Sequence, residues 1–305
     1  MRILNFGFVV AVSTLLLIGC GGDSPEPVIE EKAPEVAATP PAPAPAAKPA
    51  APVFWSEVKL HDAIRAKNSG YTGNGQFNIS PQGDVIAIAL DNCNVSDLSM
   101  FSGMDLKALY LQSCPVNDIS VLKGMGLMEL YVEKTPIKEV SALEGNTTLQ
   151  KLYLSNTGVT DLSPIKGAPI TELNLAETYV KDLKPLEGMP IQMLWLTGAP
   201  VEDISPLRTC PLVSLTLHRT SVSDLSPLAG TQLQRLHIGE TPVTDLTPLA
   251  GMNLTRLVFD KEKITKGLDA IKAMRSLREL GSKFEDGENN LVHPAVFWSE
   301  TAPKE

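Results

Sequence analysis

The chain is poor in the residues from which most active sites are built. Its 305 residues include four histidines and four cysteines. There is no H-E-x-x-H pair for zinc, no glycine loop of the kind that cradles phosphate, and no nucleophile motif. Basic excess is missing too: 26 lysines and arginines stand against 35 aspartates and glutamates, a formal net charge of −9. Nucleic-acid binding needs a basic stripe, so that class is set aside. The one long apolar run, Ile3–Ile18, is too short to span a bilayer, which takes about 20 residues. These absences point away from an enzyme, and no cofactor or metal is expected. Aromatic residues are only 5 % of the chain, so a place where they gather carries information.

What the chain has in quantity is repetition. From Val85 the pattern L-x-x-L-x-L-x-x-T-x-V-x-D-L-S-P-L restarts at Leu106, Leu127, Leu149, Ile170, Ile191, Leu212, Leu233 and Leu254. Each step is 21 residues except one of 22, where Asn146–Thr148 carries the extra residue. Nine such units make a solenoid, each burying its apolar side only against its neighbours. In Leu149–Gly167, Leu152 and Leu154 alternate with Lys151, Tyr153 and Ser155, the period of a strand with one face buried. Units of this length leave no room for a crossover helix, so the strands stack in parallel.

The rest of each unit turns the chain back. Asp97, Asp118, Asp161, Asp182, Asp203, Asp224 and Asp245 each precede a Leu-Ser-Pro-like turn and are expected to accept from free backbone N–H groups there. Their constant position argues for capping rather than a calcium ladder. Pro164, Pro185, Pro206, Pro227 and Pro248 fix φ where a missing donor does no harm. Thr135, Thr157, Thr178, Thr220 and Thr241 place a hydroxyl column that can bond to backbone.

These motifs resemble the leucine-rich repeat family, and D-L-S-P-L after a T-x-V turn is similar to the bacterial internalin-like subclass. The likeness covers about Val85 to Leu280. Threonine or cysteine stands where the family usually has a turn asparagine, and the unit is one residue shorter than the common 22. The resemblance implies an α/β leucine-rich repeat solenoid, with a parallel β-sheet on the concave face, short 3-10 or irregular turns on the convex face and small helical caps. It also implies protein or glycan recognition on the concave sheet, without catalysis.

The amino end reads as an address. Met1-Arg2 is followed by the apolar run and then by Leu17-Ile18-Gly19-Cys20, which resembles the bacterial lipobox, in which the cysteine is acylated. The expected division is a lipoprotein signal peptide at 1–19, a Pro/Ala-rich tether at 20–52, an N-terminal cap at 53–84, repeats at 85–264 and a C-terminal cap and tail at 265–305. In Asp23–Pro52, prolines and alanines fill most positions, which predicts an extended, semi-rigid spacer. Lipidated Cys20 would hold the protein in a bacterial cell envelope, and Gly21 after it favours the outer membrane. Which side of that membrane is left open.

At the caps, Ser56 is expected to start a helix presenting Val58, Leu60 and Ile64 to the first rung. Gln76–Ile79 and Asp84–Leu90 form a hairpin, Thr265–Arg275 a helix, and Leu277–Leu280 a final partial rung. The pentapeptide VFWSE occurs at both Val53–Glu57 and Val296–Glu300. Cys93 and Cys114 hold the threonine position of adjacent units, either as small buried residues or as a disulfide. Cys210 stands alone.

One strand position, between the two core leucines, points out of the sheet in every unit. It holds Ala89, Tyr110, Tyr131, Tyr153, Asn174, Trp195, Thr216, His237 and Val258. Tyr110, Tyr131, Tyr153 and Trp195, with His218 and His237 toward the carboxyl end, are the candidate partner-binding residues. Stacked aromatics also stabilise a sheet, so both roles are carried forward. Glu129, Glu133 and Glu172 lie in earlier units; His218, Arg235, His237 and Arg256 gather later. His218, His237 and Asp260 match no metal-ligand spacing. The expected function is that of a monomeric, membrane-anchored module binding a protein partner. A glycan- or peptidoglycan-binding envelope lipoprotein and an architectural spacer are the alternatives.

Overall fold

The computed structural model describes residues 54–282 and 291–299. Residues 1–53, with Cys20 and the expected signal peptide and tether, lie outside the described residues. Helix α1 (Glu57–Lys67) opens the described chain, its first turn capped by Ser56 Oγ, which accepts from the Lys59 N–H. Leu60 and Ile64 are fully buried, but Val58 is 69 % exposed. The helical period explains the difference: 60 and 64 share a face four residues apart, and 58 lies off that face.

Strands β1 (Gln76–Ile79) and β2 (Val85–Ala89) form the expected antiparallel hairpin. From β2 onward every strand is parallel, through β3 (Ala108–Tyr110), β4 (Glu129–Tyr131), β5 (Lys151–Tyr153), β6 (Glu172–Asn174), β7 (Met193–Trp195), β8 (Ser214–Thr216), β9 (Arg235–His237), β10 (Arg256–Val258) and β11 (Glu279–Gly281). The sheet order is the chain order, so each unit adds one rung; β2 is rung 1 and β10 rung 9. A strand only three residues long cannot hold itself together, and it persists because both neighbours complete its ladder. The central leucine of each strand from rung 2 to rung 9 points inward and is at most 1 % exposed. Each such burial stabilises the rod by roughly 1.5–3 kcal/mol.

Each unit leaves its strand through a tight turn. The residue immediately before the threonine or cysteine column varies in type, yet Asn92, Ser113, Lys134, Asn156, Glu177, Gly198, Arg219 and Glu240 all take positive φ there. Left-handed backbone costs a residue with a side chain about 1–2 kcal/mol. The turn recovers this through the next rung: Lys134 N–H donates to Ser155 O at 2.8 Å and Glu177 N–H to Thr197 O at 2.7 Å. The hydroxyls of Thr135, Thr157, Thr178, Thr220 and Thr241 then close on the carbonyl three residues earlier, at 2.6–2.7 Å.

Short 3-10 turns complete each unit on the far side. Asp161 Oδ1 accepts from Ser163 N–H at 2.8 Å, and the other six aspartates of the column do the same two residues ahead. The hydroxyl and N–H of the following serine hold several of these carboxyls below their ordinary range, as Ser163 does for Asp161. The aspartate sits one place before the half-helical residue, so it forms a short turn of its own and feeds it into the 3-10 segment.

The single 22-residue unit places its extra residue in this returning segment. Asn146 Oδ1 accepts from the N–H groups of Thr148 and Leu149, both at 2.8 Å, and its Nδ2 donates to Met125 O. The insertion is tied off before it reaches β5, whose register with β4 is unbroken.

At the carboxyl end the expected long helix is reduced. A 3-10 turn at Lys261–Lys263 precedes helix α2 (Leu268–Lys272), because Thr265 and Lys266 first donate backbone N–H groups to Thr244 O of the preceding unit. The final partial rung is present as β11. Helix α3 (Pro294–Ser299) lays Phe297 against Phe259, ring centroids 5.7 Å apart. The repeated pentapeptide therefore does two jobs: Ser56 caps a helix and Phe54 is exposed, whereas Phe297 is buried inside a helix that ends on Ser299. No helix among the described residues is long and apolar enough to cross a membrane.

Candidate functional site

The strand register brings the aromatic column together in space. Tyr110 pairs with Tyr131, Tyr131 with Tyr153, Tyr153 with Asn174 and Asn174 with Trp195. Adjacent strands stand about 4.8 Å apart, close to the stacking distance of aromatic rings. Tyr131 and Tyr153 accordingly stack at 4.3 Å with planes 14° apart, and Tyr110 leans on Tyr131 at 4.9 Å. Asn174 is small enough to let Tyr153 and Trp195 lean together over it, 5.8 Å between centroids. The result is one continuous ladder of four rings along rungs 2 to 6.

Carboxylates flank the ladder and orient it. Tyr110 Oη donates to Glu129 Oε2 at 2.7 Å, and Tyr153 Oη to Glu172 Oε2 at 2.9 Å. Burial, then the neighbouring Glu129 carboxylate, pushes the Tyr110 phenol well above its usual range, so it stays a donor at any physiological pH. Lys151 Nζ lies between the two carboxylates, 3.5 Å from Glu129 and 3.8 Å from Glu172. On the other flank Glu133 Oε1 accepts from Ser155 Oγ at 2.9 Å and from Asn174 Nδ2 at 3.5 Å.

The ladder is not fully open. Tyr131, enclosed by a ring on each side, is only 8 % exposed, while Tyr110, Tyr153 and Trp195 are half-buried. The histidines depart further from the sequence reading. His218 and His237 are only 4 % and 8 % exposed, His237 as little as Tyr131. His218 folds down onto the next rung, its Nδ1–H donating to Gly239 O at 3.0 Å, because Gly239 has no side chain to hold it away. Burial, with Arg256 and His218 nearby, lowers His237 to about 4, so it is neutral near pH 7. Asp260, the third residue of that group, accepts from Glu240 N–H and pairs with Lys263 Nζ at 2.6 Å. Of the sequence-predicted residues, the four aromatics come together in one ladder, and the two histidines lie nearly buried further along the same face.

The cysteines resolve as the bland alternative. Cys93, Cys114 and Cys210 are buried free thiols: Cys93 and Cys114 form no disulfide, and Cys210 stands alone as expected. Cys114 Sγ donates to Leu90 O at 3.0 Å, taking a backbone carbonyl as the threonine hydroxyls do elsewhere in the column.

The same repeat fold is found in solved structures. An internalin (inlF) from Listeria monocytogenes is similar at 25 % identity over 75 % of this chain and 76 % of that one, with a TM-score of 0.57. An internalin C2 (inlC2) from the same species is similar at 25 % identity over 66 % of this chain and 92 % of that one, TM-score 0.56. The fold is a leucine-rich repeat solenoid. A plant peptide hormone receptor, RGFR1, solved in complex with RGF2, has the same repeat fold at 16 % identity, TM-score 0.51; 60 % of this chain covers 33 % of that one. No protein-family model matches the chain, and no curated protein does.

Proposed function

We propose that the protein is a non-catalytic recognition module that binds a protein partner through the open sheet face of its solenoid. The observation that carries this reading is the four-ring ladder Tyr110–Tyr131–Tyr153–Trp195, fixed by Glu129 and Glu172 before any partner arrives. Rigid aromatics with polar handles lose little conformational freedom on binding, which is why they anchor interfaces. Solenoids of this fold are known in complexes, as in the plant hormone receptor with RGF2. The absence of any nucleophile or metal motif in the sequence supports a role without catalysis. The lipobox-like Leu17-Ile18-Gly19-Cys20 supports attachment to the bacterial envelope through acylated Cys20, and Gly21 favours the outer membrane. The Pro/Ala-rich spacer would then hold the solenoid away from the bilayer.

Glycan or peptidoglycan attachment is the second reading, favoured by half-buried rings with polar rims, which also stack on sugars. Capture of envelope proteins on the immobilised chain, beside a glycan array, separates the two. Retention of one protein by the parent but not by a Tyr131, Tyr153 and Trp195 triple serine variant supports the first. Array binding lost in the same variant, with no protein retained, moves the function to glycans.

A further inference from the structure

We infer that rungs 3 to 5 of the open face form a seat for a cationic extended peptide segment, one carrying lysine or arginine. This rests on the reading of that face as the partner-binding surface. Three carboxylates, Glu129, Glu133 and Glu172, project from these rungs beside a single ammonium, Lys151. Lys151 is shared between Glu129 and Glu172 at 3.5 and 3.8 Å, too long for strong charge-assisted hydrogen bonds. Glu133 has no cation within ion-pair distance among the described residues. Two neutral donors hold it instead, Ser155 Oγ from one rung on and Asn174 Nδ2 from two rungs on. Lys134, next in sequence, is exposed on the left-handed turn and makes no ion pair with it.

A carboxylate fixed by neutral groups is a preorganised acceptor: its orientation is set before binding, so less ordering entropy is lost when a cation arrives. The rings between the carboxylates supply the complementary half. A lysine or arginine combines an apolar stem with a charged head. Its stem can lie along the edges of Tyr131 and Tyr153 while its head reaches Glu133 on one flank or Glu129 and Glu172 on the other. The seat is confined to this part of the face. Toward rung 8 the sign changes, with Arg235 exposed on the same strand column and Arg256 paired to Glu279. A segment with its positive charge at the wrong end would meet Arg235.

The test measures fluorescence anisotropy of three labelled synthetic peptides, alternating Arg-Ser, Gln-Ser and Glu-Ser, against the full chain in neutral detergent at low salt. The Arg-Ser peptide is expected to bind and the other two to bind far more weakly. Glu133→Gln should weaken the Arg-Ser peptide on the order of tenfold, and Tyr131→Ser with Tyr153→Ser by at least as much. Glu202→Gln, the same charge change on an exposed turn, should leave it within about twofold. Equal loss in Glu133→Gln and Glu202→Gln overturns the seat, since long-range charge alone would then explain binding. Equal binding of all three peptides, preference for Glu-Ser, or no peptide binding at all also overturns it. In those cases a partner or glycan still lost on the tyrosine variant leaves the face itself as the binding surface. Arg-Ser binding that ignores Glu133, Tyr131 and Tyr153 overturns both.

Discussion

Arg219 reaches back across two rungs to pair with Glu177, and the residue it passes over is Gly198. All three occupy the same left-handed turn column. Any side chain at the middle position would enter the space of the Glu177 carboxylate, which lies 2.6–2.7 Å from where a Cβ would stand. Gly198 is therefore fixed by its φ of 69°, and a Cβ there would also make the exposed, flexible Glu177 carboxylate give way. Gly198→Ala should destabilise the fold by about 1 kcal/mol or more. That corresponds to a melting temperature lower by about 2–4 °C. Arg219→Ala should cost less than about 1 kcal/mol, because both partners of the pair are 40–50 % exposed and solvent screens them. A calorimetric melt in which Arg219→Ala is the more damaging change would reverse this ranking of backbone over ion pair.

Leu175 tests the core. It is fully buried in rung 5, with units packed on both sides. Leu175→Asp places a carboxylate without a cation among leucines, at a cost of several kcal/mol. Thermal unfolding should shift sharply downward and broaden, since the rod is broken near its middle. An unchanged melt would show that this residue does not point inward.

Changing Tyr131, Tyr153 and Trp195 together to serine should weaken partner binding by tens-fold or more. It should also lower stability by about 1–3 kcal/mol, because Tyr131 is nearly buried and the stack itself contributes. Exposed Lys166, Lys184 and Arg208 on the return side are the matched control, whose serine variants should bind normally. Binding affinity is measured on material shown to be folded by circular dichroism. Loss of equal size in both sets would remove the aromatic ladder as the cause.

Two acid transitions should be separable. His237 is lowered in the fold to about 4 from an ordinary 6.5, so the unfolded chain takes up its proton first. Stability is complete above pH 6.5 and falls as pH drops from there toward 4. The capping aspartates Asp97, Asp118, Asp161, Asp203, Asp224 and Asp245 are lowered below 3.8 by hydrogen bonds from the residue two places on. Their contribution is present above 3.8 and is lost only below it. Melting temperature against pH should show both limbs, with His237→Gln flattening the upper one alone. A curve flat from 6.5 to 4 in the parent would contradict the buried, neutral histidine.

At the amino end, Cys20→Ala should abolish acylation and leave uncleaved precursor in membranes. Mass spectrometry of the mature parent showing an unmodified amino terminus would remove the lipid anchor.

Much of this molecule was readable from its sequence because repetition averages out local ambiguity. The strand register, the inward leucines, the hydroxyl turn and the aspartate caps recur so often that one unit explains the next. Single positions fared worse. Val58 was expected to pack and is exposed, since one short helix offers no repeat to correct its phase. The left-handed column was invisible because only Asn92, Asn156 and Gly198 carry the usual composition signal; Lys134, Glu177 and Arg219 are held there by ladder hydrogen bonds from the next unit. The burial of His218 was hidden for a related reason. It depends on the missing side chain of Gly239, 21 residues away, and on no property of the histidine's own neighbourhood.

The extra residue anchored by Asn146 sets a rule for how this chain can change length. Everywhere else, each column of side chains is aligned by a fixed count of residues, and a gain or loss of one would turn leucines outward in every later unit. Whole units can be added or removed without disturbing any column, and a single residue can be absorbed only where a side chain such as Asn146 bonds the slack to its own backbone. The molecule behaves as a ruler with uniform graduations, whose reach is altered by copying a graduation and not by stretching one.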